Sequence, residues 1–206
     1  MATKRAPGKP RREAMSRVDT AWLRMCRPTN PMMITGVLML AEPMTLAKLK
    51  RVIQQRFLSY SRFRQKPVEG ATGAHWVEDQ TFDLDWHVRL SGLPGRGDKR
   101  ALERFVSQLA SSRLDVSRPL WQFHFIEHSE GGSAVVVRIH HCIGDGIALT
   151  SVVLSITDGG ALPPQRSHDA VHDEDDWLTT TLLRPLTDQA VNAIDLSGEG
   201  VSRSKD

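Results

Sequence analysis

At 206 residues, with 40% hydrophobic and 25% charged side chains and a net charge of +3, the chain can bury a substantial core and has the composition of an ordinary soluble globular protein. Its apolar runs, Ile34–Ala41 and Ile147–Ile156, fall short of the roughly 18 to 20 residues that cross a bilayer. The start, MATKRAPGKPRREAM, lacks the apolar core of a secretory signal, and two cysteines, Cys26 and Cys142, supply no disulfide framework; a cytoplasmic location is expected.

Lys4, Arg5, Lys9, Arg11 and Arg12 crowd the first dozen residues, so residues 1–15 read as a basic, solvated, disordered arm. The same charge would favour an anionic membrane surface, by about 1 kcal/mol per basic residue. Nucleic acid is not an expected partner, because the cluster has no interleaved aromatics and no recognition helix.

Order is expected from near Ser16, with a short helix in SRVDTAWLRM. The run MMITGVLMLA, between Pro31 and Pro43, reads as a core strand, and Thr45 caps a helix on which Leu46, Leu49, Ile53 and Phe57 keep helical spacing. Strands are expected around Phe63–Val68, His75–Glu78 and Phe82–Leu90, with Gly70 and Gly73 in the turn between the first two. Asp98 offers the N-cap of a helix whose apolar face is Leu102, Phe105, Val106 and Leu109.

PLWQFHFIEH and SAVVVRIHH form a hairpin through Ser129-Glu130-Gly131-Gly132. The second strand delivers His140 and His141, after which IALTSVVLSITD runs as a buried helix to Gly159-Gly160. Beyond Pro163-Pro164 the chain turns polar and acidic, with a candidate helix in WLTTTLLRPLTDQAVNAI. Strands and helices without steady alternation predict an α+β fold with a mixed or antiparallel sheet. The expected domains are residues 16–160, and an acidic linker with a C-terminal helix over 161–206.

The chemistry concentrates in HHCIGDG. Adjacent strand residues face opposite sides, so only one of His140 and His141 is expected to reach a substrate, which argues against a metal site built on both rings and Asp145. A serine nucleophile is excluded by the lack of G-x-S-x-G. Cys142 sits too close to His141 in sequence for thiolate activation and reads as a small buried apolar residue. A neutral imidazole can act alone as general base at cytosolic pH. Asp145 and Gly146 would then hold and open the turn into the next helix, Gly146 by allowing a sharp bend and leaving room for a ligand. The alternative is a pair of satisfied core histidines with Asp145 as a helix cap.

HHCIGDG resembles the HHxxxDG motif of CoA-dependent acyltransferases, the superfamily of chloramphenicol acetyltransferase and of peptide-synthetase condensation domains. MSRVDTAWL, NPMMITGVLML, RFRQKPV and PLW at Pro119–Trp121 together resemble the bacterial wax ester synthase / diacylglycerol acyltransferase family over residues 15–160. The resemblance implies half of a chloramphenicol acetyltransferase-like two-domain fold. It also implies acyl transfer from acyl-CoA to a long-chain alcohol or diacylglycerol, with no bound cofactor and no acyl-enzyme.

By the same resemblance His141 is the general base, Asp145 is a structural member of the motif, Gly146 gives access, and Pro119, Leu120 and Trp121 bind near the substrate; His140 is counted with the catalytic motif, and its loss is expected to act mainly through folding. Family members are more than twice this length, and the Asn-Asp motif of their second half is absent here: neither Asn30 nor Asn192 precedes Asp. The resemblance places the active site in a tunnel between two similar halves, which a missing C-terminal half or a homodimer would complete here, and the enzyme would sit peripherally on the inner membrane or on lipid inclusions. A catalytically incomplete binding module and a condensation-type domain are the competing readings.

Overall fold

The computed structural model describes residues 12–157, apart from residues 41, 43, 72, 130, 131 and 145. The basic residues before Arg12, the acidic stretch and the candidate helix of WLTTTLLRPLTDQAVNAI lie outside the described residues. The chain divides into two compact units at Ile143/Gly144.

The first unit runs β1 (Arg12–Ala14), α1 (Arg17–Met25), β2 (Met33–Leu40), α2 (Leu46–Gln55), and two 3-10 turns at Phe57–Ser59 and Ser61–Arg64. It continues with β3 (Gln65–Gly70), β4 (Gly73–Glu78), α3 (Leu84–His87), β5 (Val88–Leu90), α4 (Lys99–Ala110), β6 (Trp121–Ser129), β7 (Gly132–His140) and a 3-10 turn at His141–Ile143. The second unit contributes α5 (Gly146–Ser155). A small antiparallel sheet has the order β1-β4-β3, and the main sheet the order β2-β7-β6-β5. In the main sheet β5 lies parallel to β6 while the other pairs are antiparallel. The fold is therefore α+β with one mixed and one antiparallel sheet.

The two faces of the main sheet are buried by different partners. On one, Trp121 and Phe123 of β6 meet Phe57 and Phe63 of the 3-10 turns, with Phe57–Phe63 ring centroids 3.8 Å apart and Phe57–Trp121 at 4.9 Å. Ile53 of α2, Phe57, Phe63, Trp121 and Phe123 are all fully buried, so this aromatic layer is the centre of the core. On the other face, Ile126, Ala134 and Val136 receive Leu102 of α4, with Phe105, Val106 and Leu109 packed against them. Both covering helices are capped as their sequences require: Asp98 Oδ1 accepts from the Ala101 N–H at 2.8 Å, and Thr45 Oγ1 from the Lys48 N–H at 3.2 Å. Gly97 precedes the α4 cap with φ +66, and a Cβ there would lie 2.6 Å from the His128 carbonyl oxygen, so a side chain is excluded on both counts.

Four expectations are corrected. Residues 12–14, expected within the disordered arm, form β1, because the edge of β4 offers a backbone ladder that basic composition does not oppose. Arg12 pairs with Val77, the Met15 N–H donates to the Ala74 carbonyl at 2.9 Å, and Glu13 meets Arg62 at 2.7 Å. The strand expected over Phe82–Leu90 is only Val88–Leu90, since the Asp83 carboxylate accepts from the Asp85 N–H at 2.9 Å and starts the helical turn α3. Similarly, Phe63 lies in a 3-10 turn and β3 begins at Gln65. Finally, β2 is not a core strand. It is the outer strand of its sheet, and Val37 and Met39 are 40% and 54% exposed.

Candidate active site

Strand β7 is buried along almost its whole length and ends on His140, whose register partner is Met33 of β2. Beyond that pair the backbone leaves the ladder in a way that holds the next residues on both sides. The His140 N–H donates to the Leu120 carbonyl at 2.9 Å, and the His141 N–H donates to the Met32 carbonyl at 2.9 Å. The turn His141–Ile143 is thus fastened to the segment entering β6 and to the segment entering β2.

The two histidines take different environments, as the strand geometry predicts. His140 is buried, and its Nδ1 accepts the Cys142 N–H at 3.1 Å, so the neutral ring carries its proton on Nε2. Burial, with positive charge at His141 and Arg113 adding to it, lowers the His140 pKa to about 4. The Nδ1 lone pair of His140 is thus committed to a backbone N–H of the turn. His141 is half-buried, with Nδ1 buried and without a hydrogen-bond partner among the described residues.

One ring face of His141 is covered by Trp22 of α1, with centroids 4.1 Å apart and planes inclined by 21°. Sequence reasoning missed this contact, because Trp22 lies on a different element far away in the chain and obeys no spacing shared with the histidines. The only local signal was its place in MSRVDTAWL.

Cys142 is fully buried and burial raises its thiol pKa well above the ordinary range, which fits a small core residue and not a thiolate nucleophile. Among the described residues no group of three or more His, Cys, Asp or Glu side chains is placed to hold a metal ion. Asp145 lies outside the described residues. Gly146 is the first residue of α5 and does not have the left-handed backbone expected of a sharp glycine bend; a Cβ on it would meet nothing within 4 Å among the described residues.

Leu120 and Trp121, expected near the substrate, are core residues here, both fully buried. The indole N–H of Trp121 donates to the Phe63 carbonyl at 2.7 Å, its carbonyl accepts from His87 Nδ1 at 2.8 Å, and its ring stacks on His87 at 4.2 Å. The Pro119 carbonyl accepts from the Trp121 N–H at 2.9 Å, which sets the kink that points the Leu120 carbonyl at His140. Pro-Leu-Trp therefore touches the histidine turn through backbone, and its side chains anchor that backbone in the aromatic layer. His87, a buried histidine that sequence reasoning passed over, has its pKa lowered to about 4 by burial.

Residues 15–198 match the model of the wax ester synthase/diacylglycerol acyltransferase catalytic domain. The chain belongs to this acyltransferase family. A protein named probable diacylglycerol O-acyltransferase in Mycobacterium tuberculosis is 30% identical over 185 residues, covering 86% of this chain and 68% of that protein. The wax ester synthase/diacylglycerol acyltransferase of Marinobacter aquaeolei VT8 has the same fold, with a TM-score of 0.61 at 24% identity over 90% of this chain and 46% of its own. The starter condensation domain of rhizomide synthetase, in a structure with C8-CoA, aligns with a TM-score of 0.60 at 12% identity, over 73% of this chain and 37% of its own. Within the wax ester synthase/diacylglycerol acyltransferase family, then, this chain spans under half the length of the Marinobacter enzyme.

Proposed function

We propose that this acyltransferase moves a fatty acyl group from acyl-CoA to the hydroxyl of a long-chain alcohol or a diacylglycerol, with His141 as general base. The observation that supports the reading is the difference between the two histidines: His140 is buried with Nδ1 accepting the Cys142 N–H, while His141 is half-buried and held through its backbone N–H.

In the proposed reaction His141 removes the hydroxyl proton as the oxygen attacks the thioester carbonyl. The tetrahedral intermediate collapses with cleavage of the C–S bond, and the imidazolium returns the proton to the departing thiolate, giving ester and free CoA thiol. No covalent enzyme intermediate and no metal enters. Asp145 is proposed to hold the motif turn, and the backbone of Pro119–Trp121 to keep His140 in place.

The names of the relatives support the acceptor class, and the C8-CoA bound by the related condensation domain supports a CoA thioester as donor. The exposed apolar residues on the outer strand β2 favour completion of the tunnel by a C-terminal half or a second copy. Peripheral binding to a membrane or lipid inclusion, through the basic residues before Arg12, belongs to the same proposal; among the described residues no helix is long and apolar enough to cross a membrane. The test is acyl transfer from labelled palmitoyl-CoA to hexadecanol and to dioleoylglycerol, by the chain alone and co-expressed with a family C-terminal half. Ester formation in the second case supports the reading, and its absence from both overturns it.

A further inference from the structure

We infer that Trp22 is a positioning residue for His141, an inference that rests on the proposed role of His141 as base. Three observations converge on it. The indole lies over the imidazole at 4.1 Å and 21°, a stacked geometry and not a glancing edge contact. Both rings are half-buried, so the stack is at the boundary where a substrate would meet His141, not in the core. Helix α1, which carries Trp22, is fixed at its start by Ser16, whose Oγ accepts from the Asp19 N–H at 3.0 Å and whose carbonyl accepts from Thr20 Oγ1 at 2.8 Å. One residue beyond Trp22, Leu23 is buried and pins the helix face down. MSRVDTAWL thus has a physical reason: its serine starts the helix, its leucine docks it, and its tryptophan reaches the reacting histidine.

The stack does two things. Among the described residues the hydrogen bond that holds His141 is the one from its backbone N–H to Met32, and its Nδ1 has no hydrogen-bond partner, so the stack on Trp22 orients a ring that no described hydrogen bond orients. In addition, the ring becomes an imidazolium only after it has taken the acceptor's proton, and an aromatic face stabilises that cation more than the neutral ring. An interaction stronger in the transition state than in the ground state raises turnover and leaves substrate affinity alone.

Trp22→Leu is therefore expected to lower kcat by about 2- to 30-fold with KM little changed, and Trp22→Phe to recover most of the loss. A second readout does not need turnover: the rate at which diethyl pyrocarbonate modifies His141, followed by peptide mass spectrometry at matched folded fraction. That rate is expected to rise several-fold in Trp22→Leu and to stay near wild type in Trp22→Phe. Unchanged kcat in Trp22→Leu, or a change in KM alone, overturns the inference, as does a modification rate indifferent to residue 22. A wild-type assembly that makes no ester while its His141 modification still responds to Trp22 overturns the reading of the reaction and upholds the stack.

Discussion

At the scale of single residues, three histidines carry an acid sensitivity that can be separated from catalysis. His87, His124 and His140 are all buried, and burial lowers the pKa of each to about 4, against an ordinary value of 6.5. The unfolded chain binds these protons more readily than the native one. Their contribution to stability is therefore full above about pH 6.5, and it is lost progressively as the pH falls toward 4. Asp79 and Asp115, whose pKa values are lowered below 3.8 by hydrogen bonds from Thr81 and Ser117 that outweigh the cost of burial in Asp79, lose their contribution only at lower pH. Thermal melts at pH 7, 5.5 and 4.5 are expected to show a steep fall in midpoint across the histidine window. His140→Asn, which keeps an acceptor for the Cys142 N–H without the titrating ring, is expected to fall less over that window. An identical pH dependence in this variant would show that His140 is not held neutral by burial.

At the scale of elements, caps and spacing made most of the fold legible. Asp98 and Thr45 start α4 and α2 where their side chains can accept from the third residue on, and the apolar spacing of each helix matches the face it buries. The hairpin of β6 and β7 was legible from two apolar runs around glycines. Where reading failed, the deciding bond was one that pattern does not encode. Asp83 turns an alternating stretch into α3 by a local carboxylate bond, and β1 exists because β4 has an edge to pair with. Trp22 was invisible for the same reason as β1: its partner is supplied by the tertiary fold. The helix that carries it can be tested against a control. Ser16→Ala and Thr45→Ala each remove an N-cap bond and are expected to cost about 1 kcal/mol in urea unfolding. Only Ser16→Ala is expected to speed modification of His141, since only α1 bears on the histidine; equal effects in both variants would show that loss of stability alone exposes the ring.

At the scale of the whole molecule, the site legible in the sequence was the histidine turn, and its function depends on more than the described residues supply. HHCIGDG pointed to His141 as the base already in the sequence; what pattern could not give was the Cys142 N–H on His140 Nδ1 and the full burial of Leu120 and Trp121, which were expected near the substrate. Strand β2 leaves Val37 and Met39 exposed on the outer strand of the main sheet, a template for another chain. Light scattering is expected to show concentration-dependent association of the chain, reduced in Met39→Lys and replaced by a one-to-one complex when a family C-terminal half is co-expressed. A monodisperse monomer at every concentration, indifferent to that half, would contradict an assembly through this edge.

The central claim is that His141, and not His140, moves the proton, and single-turnover ester formation in the active assembly tests it most directly. With palmitoyl-CoA and hexadecanol, and with rates normalised to the folded fraction, His141→Ala is expected to slow the chemical step by roughly 10²- to 10⁴-fold. His140→Ala is expected to lose activity in proportion to its loss of folded protein. A His141→Ala protein that forms ester at the wild-type rate would contradict the account.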